Sequence, residues 1–456
     1  MNSSAEQVTA QILAGLEQAD PGVVVDSPPG AGKSSLVVRA AAALADASEN
    51  VMIIAQTNEQ VDDLTGRLGK SRPDLSIGRL VASGYLPPPR LAGAAIATTV
   101  DDLAGCQVIL STAHKWATVG GAAHWPWAIV DEAYQMRSDL LLRVAGRFDR
   151  GLFVGDPGQL DPFSSVDTER WAGLSWDPMQ SAVAVLLRHN PDIKVHTLPV
   201  SWRLPASAAP VVSAAFYPFT GFTAATGPEE RRLAVTTRSF CSNALDRAVE
   251  TAASSGWALY ELPPRHALRT DGEAVLACAA LAVRFLQRGT TLYSERAVAG
   301  APVSASRIAV GTAHRDQALA VRQALVSLGA PDVVADTANR LQGREFDIVI
   351  VLHPLSGRRD ATAFHLEAGR LCVLTSRHRH ACVVVARAGI PELLDAHPSV
   401  EPVHLNVPVK FPDGWAANQS VLTHLQQWKV RALWLIRKLQ DQRWSRGMTC
   451  ICLSAV

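Results

Sequence analysis

The segment S-P-P-G-A-G-K-S-S at residues 27–35 constrains the fold of this chain more than any other feature. It follows the apolar run 23–25 and precedes 36–44, a run of good helix formers. A strand, a glycine-rich loop and a helix in this order are the context that a phosphate-binding loop requires. Gly30 and Gly32 allow the backbone to turn sharply and to direct its N–H groups at phosphate oxygens. The sequence therefore predicts a nucleotide site, against the alternative of an ordinary Gly/Pro turn before a helix.

Lys33 and Ser34 supply the polar chemistry of this loop. In a phosphate-binding loop the lysine reaches the β- and γ-phosphates and the hydroxyl binds Mg²⁺. The N-terminus of the following helix adds partial positive charge. Ser27 stands where the usual pattern has glycine. A nucleotide phosphate and Mg²⁺ are therefore the predicted ligands of this loop, and the residues predicted to contact them are Gly30, Ala31, Gly32, Lys33, Ser34 and Ser35.

Composition sets the class of protein. A chain of 456 residues with 48% hydrophobic and 19% charged residues describes a globular protein of two to four domains. The net charge of +1 gives no overall attraction to a polyanion, so a nucleic acid would need a local groove. Seven scattered cysteines favour reduced thiols and a cytoplasmic location. No apolar run reaches about 18 residues, so a membrane span is not expected.

The order of apolar segments predicts the architecture. Short apolar strands alternate with helices over residues 22–155, and a second series of the same kind covers 257–386. This alternation is typical of parallel sheets with both faces covered by helices. A boundary is expected near 220–238, where Gly, Thr and charged residues replace the apolar pattern. The Pro/Ala/Gly-rich segment 86–99 is expected to be irregular.

Two further motifs stand at predicted strand ends. Asp131 and Glu132 close an apolar strand; the first suits Mg²⁺ and the second suits the deprotonation of an attacking water. The turn G-D-P-G-Q-L-D-P at 155–162 presents Gln159, an amide suited to sensing the γ-phosphate. Ligands gather beyond the carboxyl ends of parallel strands, so the loop at 27–35 and these motifs are expected to converge.

More segments follow in order: L-P-V-S-W-R-L-P at 198–205, T-A-N-R-L-Q-G-R-E at 337–345, F-D-I-V-I-V at 346–351 and R-L-C-V-L-T-S-R-H-R at 370–379. Together with the loop, D-E-A-Y and G-D-P-G-Q-L-D-P, they resemble the motifs of a superfamily 1 helicase, of the SF1B branch with its up-frameshift-like and RecD-like members. The resemblance runs from about Gln7 to Ala386. It implies two tandem RecA-like P-loop domains with parallel sheets and an ATP site in the cleft between them.

The resemblance also implies a domain division and residue roles. The domains are expected at 1–220 and 221–405, followed by a tail at 406–456. Gln7 matches the residue that reads adenine, and Trp202 matches the ring that stacks on it. Glu345, next to Gly343 of the nucleotide-binding set, matches the acid that holds the ribose. The residues expected to carry hydrolysis are Lys33, Asp131, Glu132, Gln159, Arg203 and Arg377, with Ser34 and Asp131 on the metal.

Arg203 and Arg377 match the two arginines that reach the γ-phosphate, and Arg379, two positions on, is a residue that could be mistaken for Arg377. The positions that match the family's strand-contacting motifs are Thr57, Asn58, Ser111, Thr112, Thr312, His314 and Thr337. Hydroxyls and amides hold phosphates without reading sequence, although Ser and Thr at strand ends are also common helix caps. His314 replaces an aromatic residue common in the family.

The function that follows is an ATP hydrolase of helicase type that moves along single-stranded DNA or RNA, 5′ to 3′ by resemblance. The segment 82–105 is short where relatives carry an accessory domain, so we expect weak unwinding or a protein partner that supplies such parts. Two alternatives stay open: another P-loop enzyme such as a small-molecule kinase, and a nucleotide-driven switch or assembly ATPase.

The basic tail, with Leu425, Trp428 and Ala432 at helical spacing, is expected to be an amphipathic helix that binds a polyanion or packs on the second domain.

Overall fold

A computed structural model describes residues 2–17, 22–86, 88–91, 93–162, 169–171, 174, 177–236, 243–267, 270–397 and 413–432. These residues form two compact units. Unit 1 lies within Met1–Pro157 and Asp161–Val200, and unit 2 lies within Gly158–Leu160, Ser201–Pro402 and Lys410–Val456. The change from one unit to the other at Val200–Ser201 lies upstream of the boundary expected at 220/221. Both units have the α/β architecture predicted from the sequence, and each is RecA-like, with a parallel sheet between helices.

In the described part of unit 1, eight strands form one sheet in which every pairing is parallel. The strands are β1 (Gly22–Asp26), β2 (Val51–Ala55), β3 (Ile77–Leu80), β4 (Ala95–Ala97), β5 (Val108–Thr112), β6 (Trp125–Asp131), β7 (Phe148–Gly155) and β8 (Lys194–Thr197). Their order is β4-β3-β5-β2-β6-β7-β1-β8. The helices are α1 (Asn2–Glu17), α2 (Lys33–Asp46), α3 (Asn58–Ser71), α4 (Ala113–Trp116), α5 (Ser138–Val144) and α6 (Ala182–His189).

Alternating side chains of the strands in unit 1 fill two cores. Val23 and Val25 of β1 pack with α1, α2 and α3, whereas Val24 packs on the opposite face with α4, α5 and α6. Successive side chains of a strand point to opposite faces, so a strand buried on both faces is apolar throughout. Because all the strands run in one direction, their carboxyl ends meet at one edge of the sheet. The loop after β1 and the acids at the end of β6 therefore share that edge.

Unit 2 contains a second parallel sheet, with order β16-β15-β17-β18-β12-β19. Its strands are β12 (Trp257–Leu262), β15 (Ile308–Thr312), β16 (Val334–Thr337), β17 (Phe346–Leu352), β18 (His378–Arg387) and β19 (Lys429–Arg431). The strands β11 (Arg232–Ala234), β13 (Thr291–Ser294) and β14 (Ala297–Pro302) form a small antiparallel sheet. The short strands β9 (Val200–Ser201) and β10 (Thr223–Ala224) pair where unit 2 begins.

The helices of unit 2 cover both faces of its parallel sheet. They are α7 (Ala209–Phe216), α8 (Ala244–Ser255), α9 (Gly272–Gln287), α10 (Arg315–Ser327), α11 (Ala338–Leu341), α12 (Ala363–Leu366), α13 (Ala368–Thr375), α14 (Ile390–Ala396) and α15 (Gly414–Gln426). The α8, α9 and α10 helices pack on one face, and α7, α13 and α15 pack on the other. The strand β17 is buried over its whole length, as its apolar sequence predicts.

The structure corrects two predictions from the sequence. The segment expected to be irregular contains β4, which pairs parallel to β3. The helix expected to continue through Ala432 ends at Gln426, and Lys429–Arg431 is instead a strand that pairs parallel to β12. The rest of the predicted tail helix lies outside the described residues. Among the residues that are described, no helix is long and apolar enough to cross a bilayer.

Candidate functional site

The loop between β1 and α2 has the backbone of a phosphate-binding turn. Gly30 and Gly32 have φ of 74° and 95°, in the left-handed region that a side chain rarely adopts. The Ala31 N–H donates to the Pro28 carbonyl at 3.1 Å, and α2 begins directly after Gly32. The Ser27 N–H donates to the Gly155 carbonyl at 2.8 Å, which ties the loop to the end of β7. The Ser27 hydroxyl is buried and has no hydrogen-bond partner within the described structure.

Lys33 lies among acidic side chains at this edge of the sheet. Its Nζ is 2.8 Å from both carboxylate oxygens of Glu132. Burial lowers the pKa of Lys33, but the nearby carboxylates of Glu132, Asp156 and Asp131 outweigh burial and raise it. Burial and the neighbouring Glu132 charge together raise the pKa of Asp131 to about 7, although Lys33 opposes this. The structure thus brings Lys33, Asp131 and Glu132 together, as expected from their positions at the carboxyl ends of parallel strands.

The residues at this edge fit a magnesium ion. Asp131 Oδ1 is buried, and within the described residues it accepts no hydrogen bond. Ser34 lies in the first turn of α2, directly after Lys33. Carboxylate and hydroxyl oxygens, completed by water and phosphate, are the ligands that Mg²⁺ prefers. When bound, the ion would neutralise phosphate charge.

Three residues that the sequence analysis did not assign support this site. The Tyr134 hydroxyl donates to Asp26 Oδ1 at 2.5 Å, which links the strand before the loop to the strand that carries the acids. Burial raises the pKa of Asp26, and the nearby Asp156 charge adds to this, although the bond from Tyr134 opposes it. Gln135 Nε2 donates to Glu132 Oε2 at 2.8 Å. Their positions in the sequence could have indicated them, since all three residues lie next to or within the motifs at the strand ends.

Glu132 is held in an unusual backbone conformation. Its φ is 51°, in the left-handed region, which costs a non-glycine residue about 1–3 kcal/mol. Such a residue keeps this conformation only where its surroundings fix it, and Lys33 and Gln135 both bind its carboxylate. The strain is located at the one residue that the sequence assigns to proton abstraction.

Unit 2 has its own charged cluster at the amino-terminal edge of its sheet. Glu345, directly before β17, lies 3.3 Å from Arg379 and 3.7 Å from Arg203. Arg379 also pairs at 2.6 Å with Glu295 from the turn between β13 and β14. Glu295 in turn pairs with Arg231, which donates to the Trp202 carbonyl at 2.8 Å. Burial raises the pKa of Glu345, but the charges of Arg203, Arg379 and Arg307 outweigh it, and the pKa is lowered.

The other residues predicted to contact the nucleotide differ in exposure and in hydrogen-bond partners. Trp202 is 43% exposed, so its ring is accessible for stacking. Arg377 is buried, and its guanidinium donates to the Val373 carbonyl at 3.2 Å and to the Ser376 hydroxyl at 3.1 Å. Gln159 belongs to unit 2, where its Oε1 accepts from Gln342 Nε2 at 3.0 Å. Gln7 is an exposed residue of α1, and Gly343 has a φ of 76°.

The residues that match strand-contacting motifs lie at carboxyl ends of strands in both units. In unit 1, Thr57 caps α3 and Thr112 caps α4, and each accepts a backbone N–H through its hydroxyl oxygen. The Ser111 hydroxyl is buried and donates to the Leu80 carbonyl at 2.7 Å. In unit 2, the Thr312 hydroxyl donates to the His314 carbonyl at 3.0 Å, and Thr337 caps α11.

His314 is part of an aromatic cluster in unit 2. Its ring stacks on Phe364, with centroids 5.0 Å apart, and its Nε2 is 3.0 Å from His365 Nε2. Burial and the charges of Arg358 and Arg370 lower the pKa of His314. The His314 ring therefore has an aromatic neighbour from α12.

Comparisons with known proteins give three findings. Residues 180–389, less than half of the chain, match the family AAA_12, described as an AAA domain. No curated protein matches the chain. Solved structures similar to it include an arterivirus nonstructural protein 10, a helicase, at 14% identity over 86% of this chain, with a TM-score of 0.45. The PRRSV helicase matches at 15% identity over 84% of this chain, with a TM-score of 0.42. The chain spans 63% and 54% of these two proteins, respectively.

Proposed function

We propose that this chain is an ATP hydrolase of superfamily 1 helicase type that moves along single-stranded nucleic acid. The observation that carries the proposal is the edge of unit 1, where Lys33, Asp131 and Glu132 converge next to a glycine-rich turn. The family match at 180–389 supports an ATPase of the AAA type. The SF1B branch and the 5′ to 3′ direction rest on the resemblance of the motifs.

Each residue at this edge has a chemical role in the proposal. Lys33 binds phosphate, and in doing so it exchanges the Glu132 carboxylate for a phosphate oxygen. Asp131 and Ser34 would hold Mg²⁺, which would neutralise the phosphate charge. Glu132, released from Lys33, then accepts the proton of the attacking water, and the bond from Gln135 orients it.

Unit 2 contributes cations in this proposal. The resemblance assigns Arg203 and Arg377 to the γ-phosphate, where a planar guanidinium suits the charge that develops. Arg377 would first have to leave its bonds to Val373 and Ser376. Arg379 is a further candidate, because it shares the Glu345 carboxylate with Arg203. Trp202 stacks on the base and Glu345 binds the ribose. The loss of the γ-phosphate would then be the event that changes how the strand is held.

A second candidate is a nucleotide-driven switch that acts on a protein partner. The observation that favours it is the hydrogen bonding of the Ser111 and Thr312 hydroxyls, which match strand-contacting positions. Both hydroxyls are buried and donate their protons to carbonyls within their own unit. Such groups accept hydrogen bonds but do not donate to a phosphate unless they rotate.

The steady-state ATPase rate with and without single-stranded polymers separates the two functions. We expect oligothymidylate or oligouridylate to raise the rate, and the more effective polymer identifies the substrate class. Lys33→Met is expected to abolish hydrolysis, whereas Lys70→Met, at the exposed end of α3, is the matched control and should not. An ATPase that neither polymer stimulates would contradict the motor and favour the switch. A chain without Lys33-dependent hydrolysis would contradict both.

A further inference from the structure

A buried hydrogen-bond network at the edge of unit 1 carries a further inference, which rests on the proposed function. Its centre is Arg79, which is fully buried at the end of β3. The guanidinium donates to Asp62 Oδ1 at 3.0 Å, to the Leu80 carbonyl at 2.8 Å and to Asn58 Oδ1 at 2.8 Å. The Tyr85 hydroxyl donates to the other oxygen of Asp62. The network thus runs from Tyr85 through Asp62 and Arg79 to Asn58.

The chemistry of arginine fixes the orientation of the Asn58 side chain. A guanidinium has donors and no acceptor, so the amide atom that faces Arg79 has to be the oxygen. The other amide atom, Nδ2, has no partner among the described residues, and Asn58 is exposed. Asn58 lies at the start of α3, directly after the cap Thr57. An oriented N–H₂ group and a helix N-terminus at the same place both favour an anion.

The network joins more residues than one pair of buried charges. A buried ion pair such as Arg79–Asp62 is weak evidence for stability, because desolvation offsets the attraction of the charges. The network also reaches a second residue that matches a strand-contacting motif, since the Leu80 carbonyl accepts from both Arg79 and Ser111. Its members come from β3, α3, β5 and the segment after β3, so it fixes these elements relative to one another.

We propose that Arg79 is a positioning residue, held by Asp62 and Tyr85, that orients Asn58 so that its Nδ2 donates to a phosphate of the bound strand. The proposal separates two kinds of residue at this edge. Asn58 touches the strand, and Arg79 acts through Asn58 without touching it. Phosphate is the assigned ligand because it accepts hydrogen bonds at every nucleotide and thus suits a protein that moves along a strand.

Variants of Asn58 test the contact itself. Binding of labelled oligothymidylate and oligouridylate is measured by fluorescence anisotropy at one fixed salt concentration. Asn58→Ala removes one hydrogen bond to a charged group, so we expect affinity to fall about tenfold. Asn58→Asp keeps the oxygen that faces Arg79 and replaces Nδ2 by an oxygen, so we expect a larger loss. Lys70→Gln is the matched control: it changes the net charge equally, about 18 Å further along the same helix, and should have little effect.

A double-mutant cycle tests the role of Arg79. Arg79→Lys keeps the charge but loses the fork that reaches Asp62, Leu80 and Asn58 together. We expect it to weaken binding about as much as Asn58→Ala, and to have no further effect when Asn58 is already alanine. An equal loss in both backgrounds would show a merely structural role and overturn the proposal.

Tyr85→Phe keeps the test decisive if Arg79→Lys fails to fold. It removes only the hydroxyl that binds Asp62, and the thermal unfolding midpoint shows whether the fold is retained. We expect Tyr85→Phe to lower the affinity less than Arg79→Lys does. In the Asn58→Ala background, Tyr85→Phe should cause no further loss. Unchanged binding by Asn58→Asp contradicts this inference alone, provided that the wild-type chain binds. A wild-type chain that binds neither oligonucleotide contradicts the proposed function as well.

Discussion

Replacing Glu132 by glutamine tests the site of unit 1 most directly. In the structure, Glu132 holds Lys33 with both of its oxygens at 2.8 Å, and the two side chains are 7% and 14% exposed. A phosphate can bind Lys33 only by displacing this carboxylate. Glu132→Gln therefore removes a competitor for the lysine and, at the same time, the base that the proposal assigns to the attacking water.

Typical magnitudes for the two interactions give the size of both effects. A hydrogen bond between charged groups contributes about 1.5–3 kcal/mol, and an amide retains part of it. We therefore expect ATP to bind about tenfold more tightly to Glu132→Gln, which corresponds to about 1.4 kcal/mol. Loss of a general base lowers turnover by about 10²- to 10⁴-fold. Tighter binding together with slower turnover is the signature of a residue that has both roles.

Two measurements and one control decide the outcome. Titration with a non-hydrolysable ATP analogue gives the dissociation constant, and single-turnover hydrolysis gives the rate of the chemical step. Glu49→Gln makes the same change of charge in unit 1, at a residue 3.9 Å from Arg150, and should change neither quantity. Turnover of Glu132→Gln within about threefold of the wild type would remove Glu132 from the role of general base. Weaker binding would refute the competition for Lys33.

Three further predictions concern stability, each measured by urea unfolding. A Cβ on Gly155 would lie 2.8 Å from the Tyr134 ring, so Gly155→Ala is expected to cost about 1–3 kcal/mol; an unchanged midpoint would refute this packing. Asp246→Ala removes the carboxylate that pairs with both Arg284 and the buried Arg288, which keeps Glu250 at 2.9 Å, so the expected cost is about 1–3 kcal/mol; a cost below about 1 kcal/mol would contradict it. Burial raises the pKa of Asp347, but its basic neighbours outweigh burial and lower it to about 2. The ionised Asp347 carboxylate therefore stabilises the fold above about pH 4, and this contribution is lost as the pH falls toward 2. Asp347→Asn should be about 1 kcal/mol less stable than the wild type at pH 7 and equal to it near pH 2. A difference that persists at low pH would refute the electrostatic cause.

Local signals determined much of the fold. The alternation of short apolar strands and helices predicted over residues 22–155 and 257–386 is present in the structure, because apolar periodicity and glycine punctuation act within a few residues. The candidate phosphate loop could be predicted for the same reason, since its turn depends on glycines within the segment itself.

Contacts between distant segments could not be predicted in this way. Glu132 was expected to act on water, yet the structure also shows it as the partner of Lys33, a residue 99 positions away. Arg377 and Arg379 stand two positions apart in one motif, and only packing decides that the first is buried against its own helix while the second shares Glu345 with Arg203. The motif predicts that Asn58 contacts the strand, but the orientation of its side chain depends on Arg79 from β3.

The tail shows the limit of predicting secondary structure from local sequence patterns. Its apolar residues continue at helical spacing through Ala432, and a three-residue strand is too short to interrupt that pattern. Lys429–Arg431 nevertheless pairs with β12, because the edge of that sheet offers backbone partners that a local pattern does not register. The sequence by itself determined most of the strands and helices and the candidate phosphate-binding turn, since those depend on neighbours in the chain. The tertiary structure decided which charges meet and which edges are paired, since those depend on neighbours in space.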